Sequence, residues 1–212
     1  MKHLIYLPYD QAHPLIEEGD VLLCRGKKWF SFFIKQITQS PYSHVGLASW
    51  HNGHDPEDIL EIVEFHLSSG GGVAKNLKNV AAIKPNTIDV YRPSPYRIDL
   101  KYDEVNGVVA QQTEYNGKAV TDTMRGLTAL HYSLLNIGMV ARGYMFGLRL
   151  LNNVNLMSDD SLQQSGSYVC STSVAHSANK NGWDFVKNKS DSLTEPGDLA
   201  NSPLLNYLFS IE

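Results

Sequence analysis

Two stretches of the chain alternate apolar and polar positions with a period of two, the pattern of half-buried strands. In the first, Tyr42 to Trp50, His44, Gly46, Ala48 and Trp50 share one face and Val45, Leu47 and Ser49 the other. In the second, Asp58 to Leu67, Leu60, Ile62, Glu64 and His66 line one face and Ile59, Val63, Phe65 and Leu67 the other. The linker His51-Asn52-Gly53-His54-Asp55-Pro56-Glu57 is rich in turn formers, so an antiparallel hairpin is expected. Pairing Trp50 with Asp58 sets His44 directly across from Glu64, where Cβ atoms lie about 5 Å apart. A slip of two positions would make them diagonal neighbours, still within reach of long side chains. The small residues next to His44 on its face leave room for a helix end to approach.

A helical pattern begins at Cys170, after the small polar run Ser165 to Tyr168, and stops at Asn181-Gly182. Elsewhere, Glu17 to Leu23 reads as a turn feeding a strand, Trp29 to Thr38 as an amphipathic helix, and Asn86 to Arg92 as a strand ended by Pro93 and Pro95. Tyr102 to Tyr115 reads as a helix with Val105, Val108, Val109 and Gln112 on one side, closed by Asn116-Gly117. Thr121 to Leu151 is the most apolar long piece and reads as a buried helix pair broken near Gly138 or Gly143. Arg125, His131, Arg142 and Arg149 interrupt it, which leaves no uncharged span long enough for a transmembrane helix. Asn152 to Ser167 is polar and reads as a surface loop, with a flap over the site as its functional reading.

Composition narrows the classes. With 212 residues, 42% of them hydrophobic, the chain suits one α+β domain over residues 1–212, with an elaboration around 118–166. A formal charge of -4 with no Lys/Arg cluster excludes a general nucleic-acid binder. The first residues, Met1 to Pro8, lack the apolar run of a signal peptide, so a cytoplasmic location is the default expectation; delivery by a phage particle or a secretion machine needs no such signal and stays an alternative. Three glycines at 70–72 allow a close backbone approach or a cleft-lining loop, but no phosphate-loop Lys-Ser or Lys-Thr follows. His51, His54 and Asp55 have metal-ligand chemistry, yet exposed loop histidines usually bind nothing, and neither a metal nor another cofactor is expected.

Cys24 and Cys170 are the two cysteines, far apart and without zinc spacing. Cys24 reads as a strand residue. A thiol in the first turn of a helix meets unpaired N–H groups and the positive end of the helix dipole, which favour the thiolate. Together with the hairpin this gives a nucleophile, Cys170, a base, His44, and a group that orients the base, Glu64, with His66 as its rival one step along the same face. His176, six residues after Cys170, is rotated away from it. Tyr42 and Ser43 beside the base, and Tyr168 and Ser171 beside the nucleophile, are candidates for substrate or oxyanion contacts, although helix-start N–H groups are the better donors.

In that order, Gly19-Asp20-Val21-Leu22-Leu23, Tyr42-Ser43-His44-Val45-Gly46, the Glu64 strand, Tyr168-Val169-Cys170-Ser171 and the closing Thr194 to Pro203 segment resemble the YiiX-like permuted papain-like amidases, a circularly permuted branch of the NlpC-type cysteine peptidase superfamily. The resemblance implies a papain-like core in which an antiparallel sheet packs against helices and the nucleophile opens a helix, with Cys170, His44 and Glu64 as the catalytic set. The chain departs from the family in Ser-Thr-Ser after the cysteine, where Ser-Glu-Leu is usual, and in a longer 118–166 segment. Three functions compete. One is hydrolysis of a peptide or peptidoglycan-like amide through a thioester. The second is a lipid thioesterase or acyltransferase acting on an acyl substrate, suggested by the apolar 121–151 stretch. The third is a binding module without chemistry.

Overall fold

The computed structural model describes residues 4–26, 40–51, 58–66, 71–83, 87–105, 107–128, 131–132, 167–187 and 189–212. It is a mixed α+β fold with a mostly antiparallel sheet. The strands are β1 (Tyr6–Leu7), β2 (Val21–Cys24), β3 (His44–Trp50), β4 (Leu60–His66), β5 (Gly71–Asn76), β6 (Ile88–Pro93), β7 (Tyr96–Asp103), β8 (Gly107–Glu114), β9 (His131–Tyr132), β10 (Ser167–Tyr168) and β11 (Leu205–Ile211). Nine form one sheet in the order β1-β11-β6-β2-β3-β4-β5-β9-β10, and β7 and β8 form a separate two-stranded ribbon.

The sheet is buried on both faces. Val21, Leu23, Val45, Leu47, Val63 and Phe65 pack beneath the Cys170–Lys180 helix through Val174 and Ala178, and beneath the Gly117–Leu127 helix through Val120 and Met124. On the reverse face Leu22, Ala48, Trp50, Leu60 and Ile62 meet Ala12, Ile16 and Leu77. The two longer helices therefore lie over the larger side chains of the β3–β4 hairpin, and the first turn of the Cys170 helix comes near His44 at the start of β3. Ridges of Val, Leu and Phe supply the apolar area that a helix needs to bury. The space beside Gly46 is taken instead by β4: a Cβ there would stand 2.6 Å from the Ile62 side chain and 2.7 Å from the Val63 carbonyl oxygen.

The β3–β4 register differs from the expected one by two residues, with Trp50 opposite Leu60 and Gly46 opposite Glu64. Asp58 turns its carboxylate onto the Ile59 N–H at 2.8 Å, and the His51 N–H reaches the Ile59 carbonyl at 3.1 Å. Asp58 thus belongs to the turn, and the ladder closes two residues later. Because side chains alternate with a period of two, a shift of two keeps every one on its face.

The expected helix over Tyr102–Tyr115 is replaced by the ends of the β7–β8 ribbon, in which Tyr96 faces Glu114 and Tyr102 faces Val108. Tyr96-Arg97-Ile98-Asp99-Leu100-Lys101-Tyr102-Asp103 alternates strictly, Asn106-Gly107 is a strong hairpin dipeptide, and Gly107 has φ 71°, which no helix interior accepts. The apolar 121–151 stretch starts inside the Gly117–Leu127 helix, and His131–Tyr132, which was expected to be helical, joins the sheet instead. The expected helix over 29–38, the break near 138 or 143 and the polar 152–166 segment lie outside the described residues. Gly71 and Gly72 are the start of β5, not a loop, and Gly72 is needed there: a Cβ would stand 2.5 Å from the Cα of Thr128 at the end of the Gly117 helix.

Candidate active site

The Cys170 helix begins where Val169, in an extended conformation, gives its N–H to the Thr172 hydroxyl at 2.9 Å. The same hydroxyl donates back to the Val169 carbonyl at 3.0 Å. The chain is thereby turned into the helix without a side chain capping its mouth, which leaves first-turn N–H groups available to another acceptor. The helix ends as the sequence indicates, at Asn181 and Gly182, where φ is 76° and the Trp183 N–H reaches back to the Ala178 carbonyl at 2.9 Å.

His44 opens β3 and is fixed from two sides. The Ser43 N–H donates to the Cys24 carbonyl at 3.0 Å, holding the strand end, and His44 Nε2 meets Glu64 Oε2 at 2.6 Å. In the observed register the two are diagonal neighbours, and the longer glutamate side chain bridges the step. Cys170, first residue of its helix, lies near enough to His44, first residue of β3, for its side chain to bear on the charge of the imidazole. The structure thus brings Cys170 and Glu64 to the same imidazole, with Glu64 in direct contact and Cys170 close by. All three are largely withdrawn from solvent: Cys170 is 7% exposed, Glu64 3%, and the His44 side chain 18%.

The electrostatics of the cluster are reciprocal. Burial works against a charged imidazole, but the Cys170 and Glu64 side chains outweigh it and hold His44 well above the ordinary histidine range, at about 10. Burial likewise works against the Glu64 carboxylate, and the opposing pull of His44 and then Lys75 brings it down to about 2. Lys75, on β5, donates to Glu64 Oε1 at 2.7 Å, so the carboxylate holds the imidazole with one oxygen and an ammonium with the other. Cys24, cross-strand partner of His44, is different: burial, followed by the nearby charges of Glu64 and Cys170, pushes its thiol strongly upward and keeps it protonated.

His66 does not take the place of Glu64. Its ring lies edge-on to that of His44, with centroids 5.3 Å apart, and walls the imidazole on one side. Tyr42 turns its hydroxyl to Asp89 Oδ2 at 2.6 Å and to the Tyr91 hydroxyl at 2.9 Å. Asp89, fully buried, also accepts from Arg25 Nε at 2.8 Å and from Ser210 at 2.7 Å. Ser43 lies buried with its hydroxyl 3.4 Å from the Cys24 carbonyl, and Ser171 donates to the Thr194 carbonyl at 2.6 Å. The hydroxyls of Tyr42, Ser43 and Ser171 are therefore engaged with the scaffold. Tyr168 is in β10, immediately before the helix entry. His176 lies buried, 3.8 Å from Asp191, six residues along the helix from Cys170.

Two parts of this site escape the pattern of the sequence. Lys75 is hidden because Ser68 to Val73 resembles a glycine loop; once Gly71–Asn76 is known to be a strand, its register with β4 puts Lys75 opposite Ile62, diagonal to Glu64. The Asp89–Arg25–Tyr42 cluster joins residues from three separate segments, and no local pattern announces it. Among the described residues, no group of three or more His, Cys, Asp or Glu side chains is arranged to hold a metal ion. His51 lies 4.0 Å from Glu61, while His54 and Asp55 lie outside the described residues. Likewise, no helix among the described residues is long and apolar enough to cross a membrane. No protein-family model matches the chain, and no curated protein matches it either.

Proposed function

We propose that the protein is a cysteine hydrolase of the permuted papain-like kind, cleaving an amide bond of a peptide or peptidoglycan-like substrate through a thioester. The observation that carries this reading is His44 held at 2.6 Å by a buried and doubly held Glu64, with Cys170 at an uncapped helix mouth near the same imidazole. The imidazole takes the thiol proton, and the sulfur attacks the carbonyl carbon. First-turn N–H groups receive the charge that builds on the oxygen. The imidazolium then gives its proton to the leaving nitrogen, and water, deprotonated by the same imidazole, releases the acyl group. Glu64 fixes the ring angle and favours the imidazolium through which both halves of the cycle pass.

The test is covalent labelling of the full chain with amide-, ester- and thioester-based electrophiles, followed by mass spectrometry of the adduct. Cys170 is expected to be labelled rapidly, Cys24 is expected to stay unmodified, and His44→Ala is expected to lower the rate by at least about a hundredfold. Release of free amines from muropeptides by the wild type supports the amide substrate. Labelling by the thioester probe alone moves the substrate to acyl lipids or acyl carriers. Equal labelling of wild type and His44→Ala removes the catalytic reading altogether.

A further inference from the structure

The β7–β8 ribbon is amphipathic, and it faces the wrong way for a lone molecule. Its polar face lies toward the body of the protein: Arg97 pairs with Asp99 at 2.8 Å and sits over the Trp183 ring at 5.4 Å, and Lys187 reaches Asp99 at 3.5 Å. Its apolar face points outward. Tyr96, Ile98, Leu100 and Tyr102 are 54, 60, 73 and 77% exposed, with Val108 at 68% across the ladder and Val105 at 89% in the turn. Together these exposures leave on the order of 700 Å² of side-chain surface in water. That exceeds the few hundred Å² typical of apolar patches on a monomer and approaches the roughly 800 Å² each partner brings to a standard interface. A two-stranded ribbon is marginal by itself, and strict alternation is the signature of a face meant for burial.

We infer that this face is a dimerisation surface, covered by the same ribbon of a second copy of the chain. Packed face to face across a two-fold axis, each stripe meets itself, and strand-on-strand layers at about 10 Å bring Leu100 and Tyr102 to the centre. Charge fits that occupant. Arg97, Asp99 and Lys101 lie on the opposite face of β7, so two copies meet without like charges in the middle. A lipid surface fits less well: the apolar face carries no lysine or arginine, its border is acidic at Asp103, Glu104 and Glu114, and binding to anionic membranes draws on basic residues. The ribbon also leaves the sheet at the Pro93 end of β6, while Cys24 and His44 stand at the Ile88 end, so pairing leaves His44 of each copy away from the seam.

Sedimentation velocity of the full chain across micromolar concentrations tests this directly. The wild type is expected to shift to twice the monomer mass as concentration rises. Leu100→Lys with Tyr102→Lys, both at highly exposed positions, is expected to stay monomeric with an unchanged circular dichroism spectrum, and Leu100→Ser to weaken association at least about tenfold. A wild type that remains monomeric throughout overturns the inference, as does a double variant that still doubles its mass. A monomeric wild type that co-sediments with phosphatidylcholine vesicles overturns it in favour of a membrane.

Discussion

The two ends of the central sheet follow opposite rules. Where β2 ends and β3 begins, ionisable groups are taken out of water: Glu64, His44, Cys170 and Asp89 form buried, partnered clusters. Where β6 ends, the β7–β8 ribbon holds tyrosine, leucine and valine in solvent. Both are departures from apolar-inside, polar-outside patterning, and a fold tolerates them where something other than its own stability is gained. At the first end the proposed gain is a reactive charge arrangement, and at the second it is the proposed pairing surface.

The contrast breaks hardest at the sulfur. Cys170→Ala is expected to abolish turnover and covalent labelling while the melting temperature shifts little, since a small side chain replaces another at the helix mouth; retained turnover overturns the mechanism. Next comes Glu64→Gln, expected to leave partial activity, about ten- to a hundredfold down in kcat/KM, because the ring is still held but its charge is no longer supported. The same variant sharpens the electrostatics. Glu64 is held down at about 2, so its contribution to stability is present above the ordinary carboxylate range near 4.5 and fades as pH falls toward 2. His44 is held up at about 10, so its contribution is complete below about 6.5 and fades as pH rises toward 10. Thermal melts of Glu64→Gln across pH should therefore lose much of the acid-side slope seen in the wild type.

Smaller still is Lys75→Met. Without its ammonium, Glu64 pulls harder on the imidazole, so the alkaline limb of the rate profile should move upward and activity near neutrality should fall several-fold, with Lys75→Arg restoring both. Loss of activity without movement of the limb would reduce Lys75 to packing. The smallest effect belongs to the other end: Leu100→Ser should change the stability of the monomer by no more than about 0.5 kcal/mol and leave labelling of Cys170 untouched.

Much of the site end was legible because local signals agree there. Alternation placed His44 and Glu64 on one face, helix punctuation placed Cys170 at a helix start, and a shift of two residues in register left both conclusions standing. The ribbon is hard to read because Val105, Val108, Val109 and Gln112 match helical spacing too, in competition with the alternation from Tyr96 and the Asn106-Gly107 turn that the structure follows. Lys75 and Asp89 act through partners distant in sequence, where patterning carries no information until the strand order is known.

The proposed nucleophile and base come from opposite halves of the chain, and nothing local joins them. On that proposal reactivity is a property of the finished tertiary structure: a nascent or partly melted molecule carries both side chains yet has no assembled pair. Closing so long a loop is slow and entropically costly, which makes the appearance of a labelled sulfur a convenient clock for the last step of folding.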